Sequence, residues 1–222
     1  MTDCAKCKNR ASCFNELSIN DLSKVTDNKV EINYKKGETI IKQNSFASHI
    51  YFVKSGLVKM YIENKNKNLT LEVAGSGSMY GITSLNYNKN YNFSLAALND
   101  VHVCEINVEV INSIIKNNIG FSYDVVNQLN TTINKLISKV NCLSQKQASA
   151  RVAEMLIELA DNVYKKHSFV MDLSRKDLAE ITNMATENVV RTLKDLEQEK
   201  IIKLVGKNIS IINYEKLLGY SK

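Results

Sequence analysis

Three of the five cysteines lie within the first thirteen residues, in the pattern Cys4-x2-Cys7-x5-Cys13. Cysteine thiolates are ligands for zinc and for iron–sulfur clusters, and they are also the reactive form in redox chemistry. The end of a chain is usually poorly ordered, so three thiols there indicate that something holds the segment in place. A Cys-x2-Cys pair alone is often half of a zinc site. The spacing therefore predicts metal binding or redox chemistry but does not identify the metal.

The remaining candidates for chemistry are weaker. Cys104 lies in a β-prone run, where a free cysteine is most often a small buried hydrophobic residue. Cys142 lies at the end of a helical pattern, and we interpret it as an ordinary helix residue. His49, His102 and His167 are scattered and show no metal-ligand spacing. The sequence has no P-loop, no Ser/His/Asp arrangement and no His-Glu metal motif, so we expect no enzymatic activity.

The composition is that of an ordinary globular protein of one to two domains. The chain has 222 residues, of which 44% are hydrophobic and 23% charged. No apolar run is long enough for a membrane helix, and no apolar signal-peptide core is present, so we expect a cytoplasmic protein without a membrane partner. Thiols in a reducing cytoplasm remain available for metal binding. The net charge of +6 permits a nucleic-acid partner but does not require one.

The first half of the chain has a strand-rich pattern. Ser18 and Asp21 form a capping-box pattern that predicts a short helix ending near Asp27. Short β-prone runs punctuated by glycines then extend from Val30 to Ile106, which is typical of an antiparallel barrel or jelly roll. The two runs on either side of Ser55-Gly56 predict a β-hairpin.

The pattern changes to helical after Val108. Six apolar residues with spacings of three and four predict one side of a long helix. This side could pack on the protein's own core, or it could form the seam of a two-stranded coiled coil in a dimer. The six residues are Val126, Leu129, Ile133, Leu136, Val140 and Leu143.

The C-terminal part has the pattern of a winged helix-turn-helix. The segment "ASARVAEMLIELADNVY" predicts a helix, and Ser174-x-x-Asp177 caps a shorter one. The tight turn "TNMA" leads into a further amphipathic helix, and the two short helices describe a helix-turn-helix. Two β runs joined at Gly206-Lys207 follow and predict a hairpin wing.

The stretches "IYFVKSGLVKMY", "ARVAEMLIELA" and "DLAEITNMATENVVRTLKDLEQEKII" resemble the cyclic-AMP receptor protein and fumarate-nitrate reductase regulator family of bacterial transcription factors. The resemblance covers essentially the whole chain. It implies an α+β fold made of a cysteine-rich segment (1–17), an antiparallel β-roll of the cupin-like jelly-roll type (18–107), a dimerisation helix (108–143) and a winged helix-turn-helix (144–222). It further implies a homodimer that binds double-stranded DNA at an inverted repeat and acts with RNA polymerase.

The resemblance also suggests a cofactor. The spacing of Cys4, Cys7 and Cys13 matches the oxygen-sensing branch of the family, which adds a fourth cysteine in a Val-Cys-Glu-Ile context. Here that context is "VHVCEI", which contains Cys104. The resemblance thus implies a [4Fe–4S] cluster that senses oxygen or nitric oxide and controls dimerisation and operator binding. A structural zinc, a thiol redox switch or another small effector remain the alternatives.

A cyclic nucleotide is not expected. The cyclic-AMP branch binds its ligand with a Gly-Glu-Leu turn followed by an Arg-Ser pair. The matching turn here, "YGITSL", has Ile82 in place of the acid, and "NKNYNFSLAAL" after it contains no arginine. The negative charge of a cyclic phosphate needs a donor fork or a nest of amides.

The resemblance places the DNA-reading residues on the helix that starts near Thr186. Glu187 can accept a hydrogen bond from cytosine and Arg191 can donate two to guanine, although a first-turn acid and a surface ion pair are the alternatives. Val190 stands where the family has serine, and as a DNA-binding candidate it could contact a thymine methyl group or turn inward. Ala185 replaces the usual capping hydroxyl. The other candidates for contacts to phosphate or flanking groups are Thr186, Asn188, Thr192 and Lys194.

Overall fold

The structure, a computed structural model, describes residues 3–7, 12–84 and 89–221. It divides into two compact units, residues 1–60 with 74–135 and residues 61–73 with 136–222. The predicted domain limits differ from this division, because residues 61–73 of the predicted β-roll belong to the C-terminal unit. Residues 1–2 and 8–11 of the predicted cysteine-rich segment lie outside the described residues.

The chain forms one helix, a strand-rich region, a helical region and a winged helix-turn-helix, in the order that the sequence predicts. The helices are α1 (Ile19–Asp27), α2 (Val108–Asn117), α3 (Ile119–Gln145), α4 (Ala148–Glu158), α5 (Arg175–Thr182), α6 (Thr186–Gln198) and α7 (Tyr214–Tyr220). The strands are β1 (Lys29–Tyr34), β2 (Thr39–Ile41), β3 (His49–Ser55), β4 (Val58–Ile62), β5 (Leu69–Ala74), β6 (Met79–Tyr80), β7 (Ser94–Ala97), β8 (Val101–Asn107), β9 (Ser168–Val170), β10 (Ile202–Val205) and β11 (Asn208–Ile211). Ser18 caps α1 by accepting a hydrogen bond from the Asp21 amide, as its capping box predicts.

The β-roll consists of two four-stranded sheets with the orders β1-β8-β3-β6 and β2-β7-β4-β5. The prediction of a hairpin across Ser55-Gly56 is wrong, because β3 and β4 belong to different sheets. Gly56 has a φ of +89°, and a Cβ atom there would lie 2.5 Å from the Asp100 carbonyl oxygen. A glycine is therefore required where the chain passes from one sheet to the other.

One face of the first sheet is covered by the N-terminal segment and helices. In the antiparallel register, Cys104 of β8 lies between Glu31 of β1 and Phe52 of β3. Phe14 packs 6.3 Å from the Phe52 ring and 5.9 Å from the Phe121 ring of α3, measured between ring centroids. This apolar cluster makes the N-terminal segment part of the core of the first unit.

The predicted single dimerisation helix over 108–143 is wrong in its N-terminal part. The chain forms two helices, α2 and α3, with a break at Asn118, whose φ is −130° and ψ 104°. The Asn118 side-chain oxygen accepts a hydrogen bond from the Phe121 amide at 2.9 Å, and its amide nitrogen donates to the Glu16 carbonyl oxygen at 3.3 Å. Asparagine is suited to this break, because its side chain competes with the backbone for helical hydrogen bonds.

The second unit contains the winged helix-turn-helix. Ser174 caps α5 with a complete capping box, and Asn183 ends it in the left-handed conformation with a φ of 52°. The wing strands β10 and β11 pair antiparallel across Gly206-Lys207, and β9 pairs with β11, so the wing prediction is confirmed. Helix α4 ends in one π-helical turn, Leu159–Val163. No helix of the described part of the chain is long and apolar enough to cross a membrane.

Candidate functional site

Three of the four candidate ligand cysteines are buried together in the first unit. Cys4, Cys13 and Cys104 belong to one apolar cluster with residues of β3, β8, α1 and α2, while Cys7 is half-buried. The Cys4 amide donates a 3.1 Å hydrogen bond to Thr26 Oγ1 of α1, which fixes the first turn of the chain. All five cysteines are free thiols. The structure thus places three of the four predicted ligands, Cys4, Cys13 and Cys104, in one buried region.

The donor set fits a metal–thiolate centre in its chemistry, but the thiols are not gathered around one point. Within the residues that the structure describes, no group of three His, Cys, Asp or Glu side chains is placed to bind a metal ion. Burial raises the pKa of Cys104 to about 11, and burial together with Asp124 raises the pKa of Cys13 to about 12. These thiols therefore hold their protons at neutral pH, and binding a metal would require their release.

A group of charged side chains lies beside Cys104, and the sequence did not point to it. Glu31 Oε1 is 2.8 Å from Lys29 Nζ, and its Oε2 lies 2.8 Å from Lys54 Nζ and 3.1 Å from His102 Nε2. We refer to Lys29, Glu31, Lys54 and His102 as the Glu31 network. The alternation of charged and apolar residues in β1 predicts that the charged side chains lie on a face exposed to solvent. Only 1% of the Lys29 side chain is exposed, however.

The opposite face of the same sheet carries a carboxylate rather than a phosphate-binding group. Tyr34 donates a 2.6 Å hydrogen bond to Glu105 Oε1, and Tyr51 is the cross-strand neighbour of Glu105. The sequence has no arginine between Arg10 and Arg151. Ile82 is buried in a short 3-10 helix, and Leu85, which ends the matching turn, lies outside the described residues. The absence of a cyclic nucleotide stays a prediction.

The predicted seam of α3 is exposed along one edge. Val126, Ile133 and Val140 are 52%, 53% and 66% exposed, whereas Leu129, Leu136 and Leu143 are half-buried. Tyr123 and Ile137, which the heptad assignment omitted, are also exposed. We refer to Tyr123, Val126, Ile133, Ile137 and Val140 as the α3 stripe. Packing on the protein's own core does not account for this stripe.

The predicted DNA-reading residues lie on α6 and present several polar groups to solvent. Glu187, Asn188, Arg191 and Lys194 are exposed, and Thr186 and Val190 are half-buried. Arg191 Nη2 donates to Asn188 Oδ1 at 3.0 Å, so the alternative of an Arg191–Glu187 ion pair is not observed.

Thr192 is the exception among the candidates on α6. The proposed phosphate or flanking contact is wrong, because the Thr192 side chain is buried and donates to the Asn188 carbonyl oxygen at 2.9 Å. Ala185 precedes the helix without a side-chain cap.

Two lysines outside the helix-turn-helix contact its turn. Lys139 Nζ of α3 donates to the Ile181 carbonyl oxygen at the end of α5. Lys67 Nζ, from the segment between β4 and β5, donates to the Met184 carbonyl oxygen just before α6. Burial lowers the pKa of both lysines. These contacts are not apparent from the sequence, because a single lysine in a polar stretch predicts an exposed side chain.

Comparisons with known proteins agree with this arrangement. Residues 31–118 match the model of the cyclic nucleotide-binding domain, and residues 150–220 match the Crp-like helix-turn-helix domain. The chain belongs to the Crp/Fnr family of transcription regulators. As a member of this family with a Crp-like helix-turn-helix, it is a DNA-binding protein.

Its similarity to individual Crp/Fnr proteins extends over nearly the full length. The fumarate and nitrate reduction regulatory protein of Vibrio cholerae is 22% identical over 231 residues, covering 99% of this chain and 91% of the relative. FixK2 from Bradyrhizobium japonicum has a TM-score of 0.80 at 19% identity, covering 87% of this chain and 98% of that protein. A crp/fnr-family transcriptional regulator from Eubacterium rectale has a TM-score of 0.77 at 19% identity, covering 95% and 97%. The predicted fold class is confirmed.

Proposed function

We propose that this Crp/Fnr regulator senses oxygen or nitric oxide through a [4Fe–4S] cluster bound by Cys4, Cys7, Cys13 and Cys104. The observation that carries the proposal is the shared core of the N-terminal segment and α3. Phe14, next to Cys13, packs between Phe52, the cross-strand neighbour of Cys104, and Phe121 of α3. The segment that carries three thiols is thus packed against both the fourth thiol's strand and the helix that carries the exposed stripe.

A bound [4Fe–4S] cluster would supply a link between four thiolates that oxygen and nitric oxide can destroy. The chain's own residues would convert this link into a change of packing. Cys4, Cys7 and Cys13 would hold the N-terminal segment on β8, and Phe14 would support the start of α3. A cluster can shift an equilibrium between two states only by its different affinity for each, so the link must be stronger in the dimeric state.

Dimerisation is the step that this packing would control. The α3 stripe matches the requirement of a two-stranded coiled coil, since apolar residues at heptad spacing are left exposed in a single chain. We infer a homodimer formed through this stripe. The two α6 helices would then bind an inverted repeat whose half-sites lie about one helical turn apart. Bound there, the protein would act on RNA polymerase as a regulator, not as an enzyme.

A cluster-free regulator is the second candidate. It would respond to thiol redox state, to zinc or to another small effector, and it is favoured by the absence of an assembled three-ligand group among the described residues. A structural zinc site would be tetrahedral and redox-silent. The two candidates therefore differ in metal content and in colour.

The test is the metal content of protein purified without air. We expect about four iron and four acid-labile sulfide per monomer, with the brown colour of a cluster. Cys4→Ala, Cys7→Ala, Cys13→Ala and Cys104→Ala should each remove the cluster. Cys142→Ala is the matched control, because Cys142 is also buried but lies in the other unit. Stoichiometric zinc without sulfide would favour the second candidate.

A further inference from the structure

The Glu31 network is a group of ionisable side chains on the sheet face that carries Cys104, and its two lysines are buried. Lys29 and Lys54 each approach one Glu31 oxygen at 2.8 Å, and 1% and 12% of their side chains are exposed. His102 Nε2 is 3.1 Å from Glu31 Oε2. Burying a charge is costly unless other groups compensate for it, so a network of this kind is unlike ordinary surface ion pairs.

The register of β1 and β8 places the network beside the cysteines. Glu31 is the cross-strand partner of Cys104, and Lys29 is the partner of Ile106, two residues away. Residues directly opposite one another in an antiparallel pair project from the same face. Cys104 and Ile106 belong to the apolar cluster that contains Cys4. The ammonium group of Lys29 is therefore buried on the face where the predicted ligands lie.

The network holds its charges beside Cys104. Glu31 faces Cys104 across the β1–β8 pair, and the Lys29 and Lys54 ammonium groups each lie 2.8 Å from one Glu31 oxygen. Two lysines and one glutamate give these three groups a net charge of +1 at neutral pH, and this charge lies next to the strand that carries the predicted ligand.

We propose that Lys29 and Lys54 provide the counter-charge for an anionic metal–thiolate centre at Cys4 and Cys104. This inference rests on the proposed function and assigns positioning residues to that same site. Reduction of such a centre by a one-electron reductant would add one negative charge to it. A fixed positive charge nearby would favour the reduced form and oppose oxidation of the centre. The network would thus determine how readily the proposed sensor responds to oxygen or nitric oxide.

A charge-counting series tests the inference. Lys29→Met lowers the net charge of Lys29, Glu31 and Lys54 to zero, Glu31→Gln raises it to +2, and the double variant restores +1. The measurement is the midpoint potential of the bound cluster in anaerobic protein. We expect Lys29→Met to disfavour reduction about tenfold, a decrease of about 59 mV, and Glu31→Gln to shift the potential in the opposite direction.

Two further variants separate the effect of the lysine charge from the effect of its packing. Lys29→Arg keeps the charge and should keep the potential close to that of the unmodified protein. Lys35→Met removes an exposed lysine that follows the same strand and pairs with Asp100, so it should change nothing. The double variant should also return to the original value, which a loss of packing would not produce. Potentials that fail to follow the charge count would overturn the inference.

A second measurement distinguishes failure of the inference from failure of the proposed function. Protein without iron or sulfide would refute the cluster, and the same series would then be titrated with Co²⁺ in the metal-free state. Lys29→Met should weaken Co²⁺ binding about tenfold, since the metal-bound thiolates lose a neighbouring positive charge. The double variant should restore it. Equal Co²⁺ affinity in all proteins, or no binding at all, would overturn the counter-charge.

Discussion

Lys139 Nζ donates a hydrogen bond to the Ile181 carbonyl oxygen. Ile181 lies in the last turn of α5, where backbone carbonyls have no partner within the helix and carry the negative end of its dipole. A half-buried ammonium from α3 therefore supports the end of the first helix of the helix-turn-helix. Lys67 makes the same kind of bond to the Met184 carbonyl oxygen, so the turn before α6 is held by two lysines.

The first prediction concerns the pH dependence of stability. Burial lowers the pKa of Lys139 below its ordinary value, so the unfolded chain binds more protons than the folded one between the two values. The free energy of unfolding should therefore rise with pH as the Lys139 side chain of the folded protein loses its proton, until the pH reaches the ordinary lysine pKa of ~10.4. Lys139→Met should lack this rise. Urea unfolding between neutral pH and pH ~10 measures the difference.

The control is Lys116→Met, which removes an exposed lysine at the end of α2. This variant should follow the pH profile of the unmodified protein, because it keeps Lys139 and differs only in one exposed lysine. If Lys139→Met also follows that profile, the Lys139 ammonium is not held in a costly environment in solution.

The second prediction concerns the packing of the N-terminal segment. Phe14→Ala removes a ring that is packed between Phe52 and Phe121, and such substitutions cost about 3–5 kcal/mol. Phe46→Ala removes an aromatic ring that is 64% exposed, and it should change stability by less than about 0.5 kcal/mol. Urea unfolding of the metal-free protein compares the two. Equal and small effects would show that the segment is not part of the core.

The local elements could be predicted from the sequence because short-range rules determine them. Ser18 and Ser174 mark the starts of two helices, and Gly206-Lys207 marks the wing turn. The break at Asn118 was missed because the apolar spacing continues across it. At the break the Asn118 side chain bonds to the Phe121 amide and to the Glu16 carbonyl oxygen, and Glu16 is distant in sequence.

The charged groups could not be predicted, because their burial depends on what covers them. Lys29 and Glu31 alternate with apolar residues in β1, and this pattern predicts a face exposed to water. The N-terminal segment and α1 cover that face and convert it into an interior. Ile137 was missed for a different reason, since a heptad reading assigns the seam to only two of seven positions.

The third prediction concerns the dimer. Ile133→Glu places a charge in the middle of the α3 stripe, where an unpaired buried charge would cost several kcal/mol in the dimer. The protein should become monomeric and lose operator binding while its anaerobic cluster content is unchanged. Asn134→Glu is the control, because Asn134 is exposed next to the stripe but outside it. Analytical ultracentrifugation gives the oligomeric state. A dimeric Ile133→Glu protein that still binds its operator would place the interface elsewhere.

The fourth prediction concerns DNA readout. Glu187 and Arg191 are exposed one helical turn apart on α6, and no ion pair occupies them. Arg191→Ala should cost about 1–3 kcal/mol per half-site and remove the preference for one guanine, because arginine donates to guanine O6 and N7. Glu187→Ala should relax the preference for a cytosine on the facing strand. Selection from random DNA by anaerobic protein at fixed salt measures both preferences.

Lys194 provides the contrast for the same experiment. It is exposed on the same helix, and a contact with phosphate carries no base information. Lys194→Ala should therefore weaken binding to all sequences alike and lower the salt dependence of binding by about one phosphate contact. Thr192→Ser is a further control, because the buried Thr192 hydroxyl bonds to the Asn188 carbonyl and serine keeps that bond. If Arg191→Ala selects the same guanine, base reading lies instead with Thr186, Asn188 or Val190.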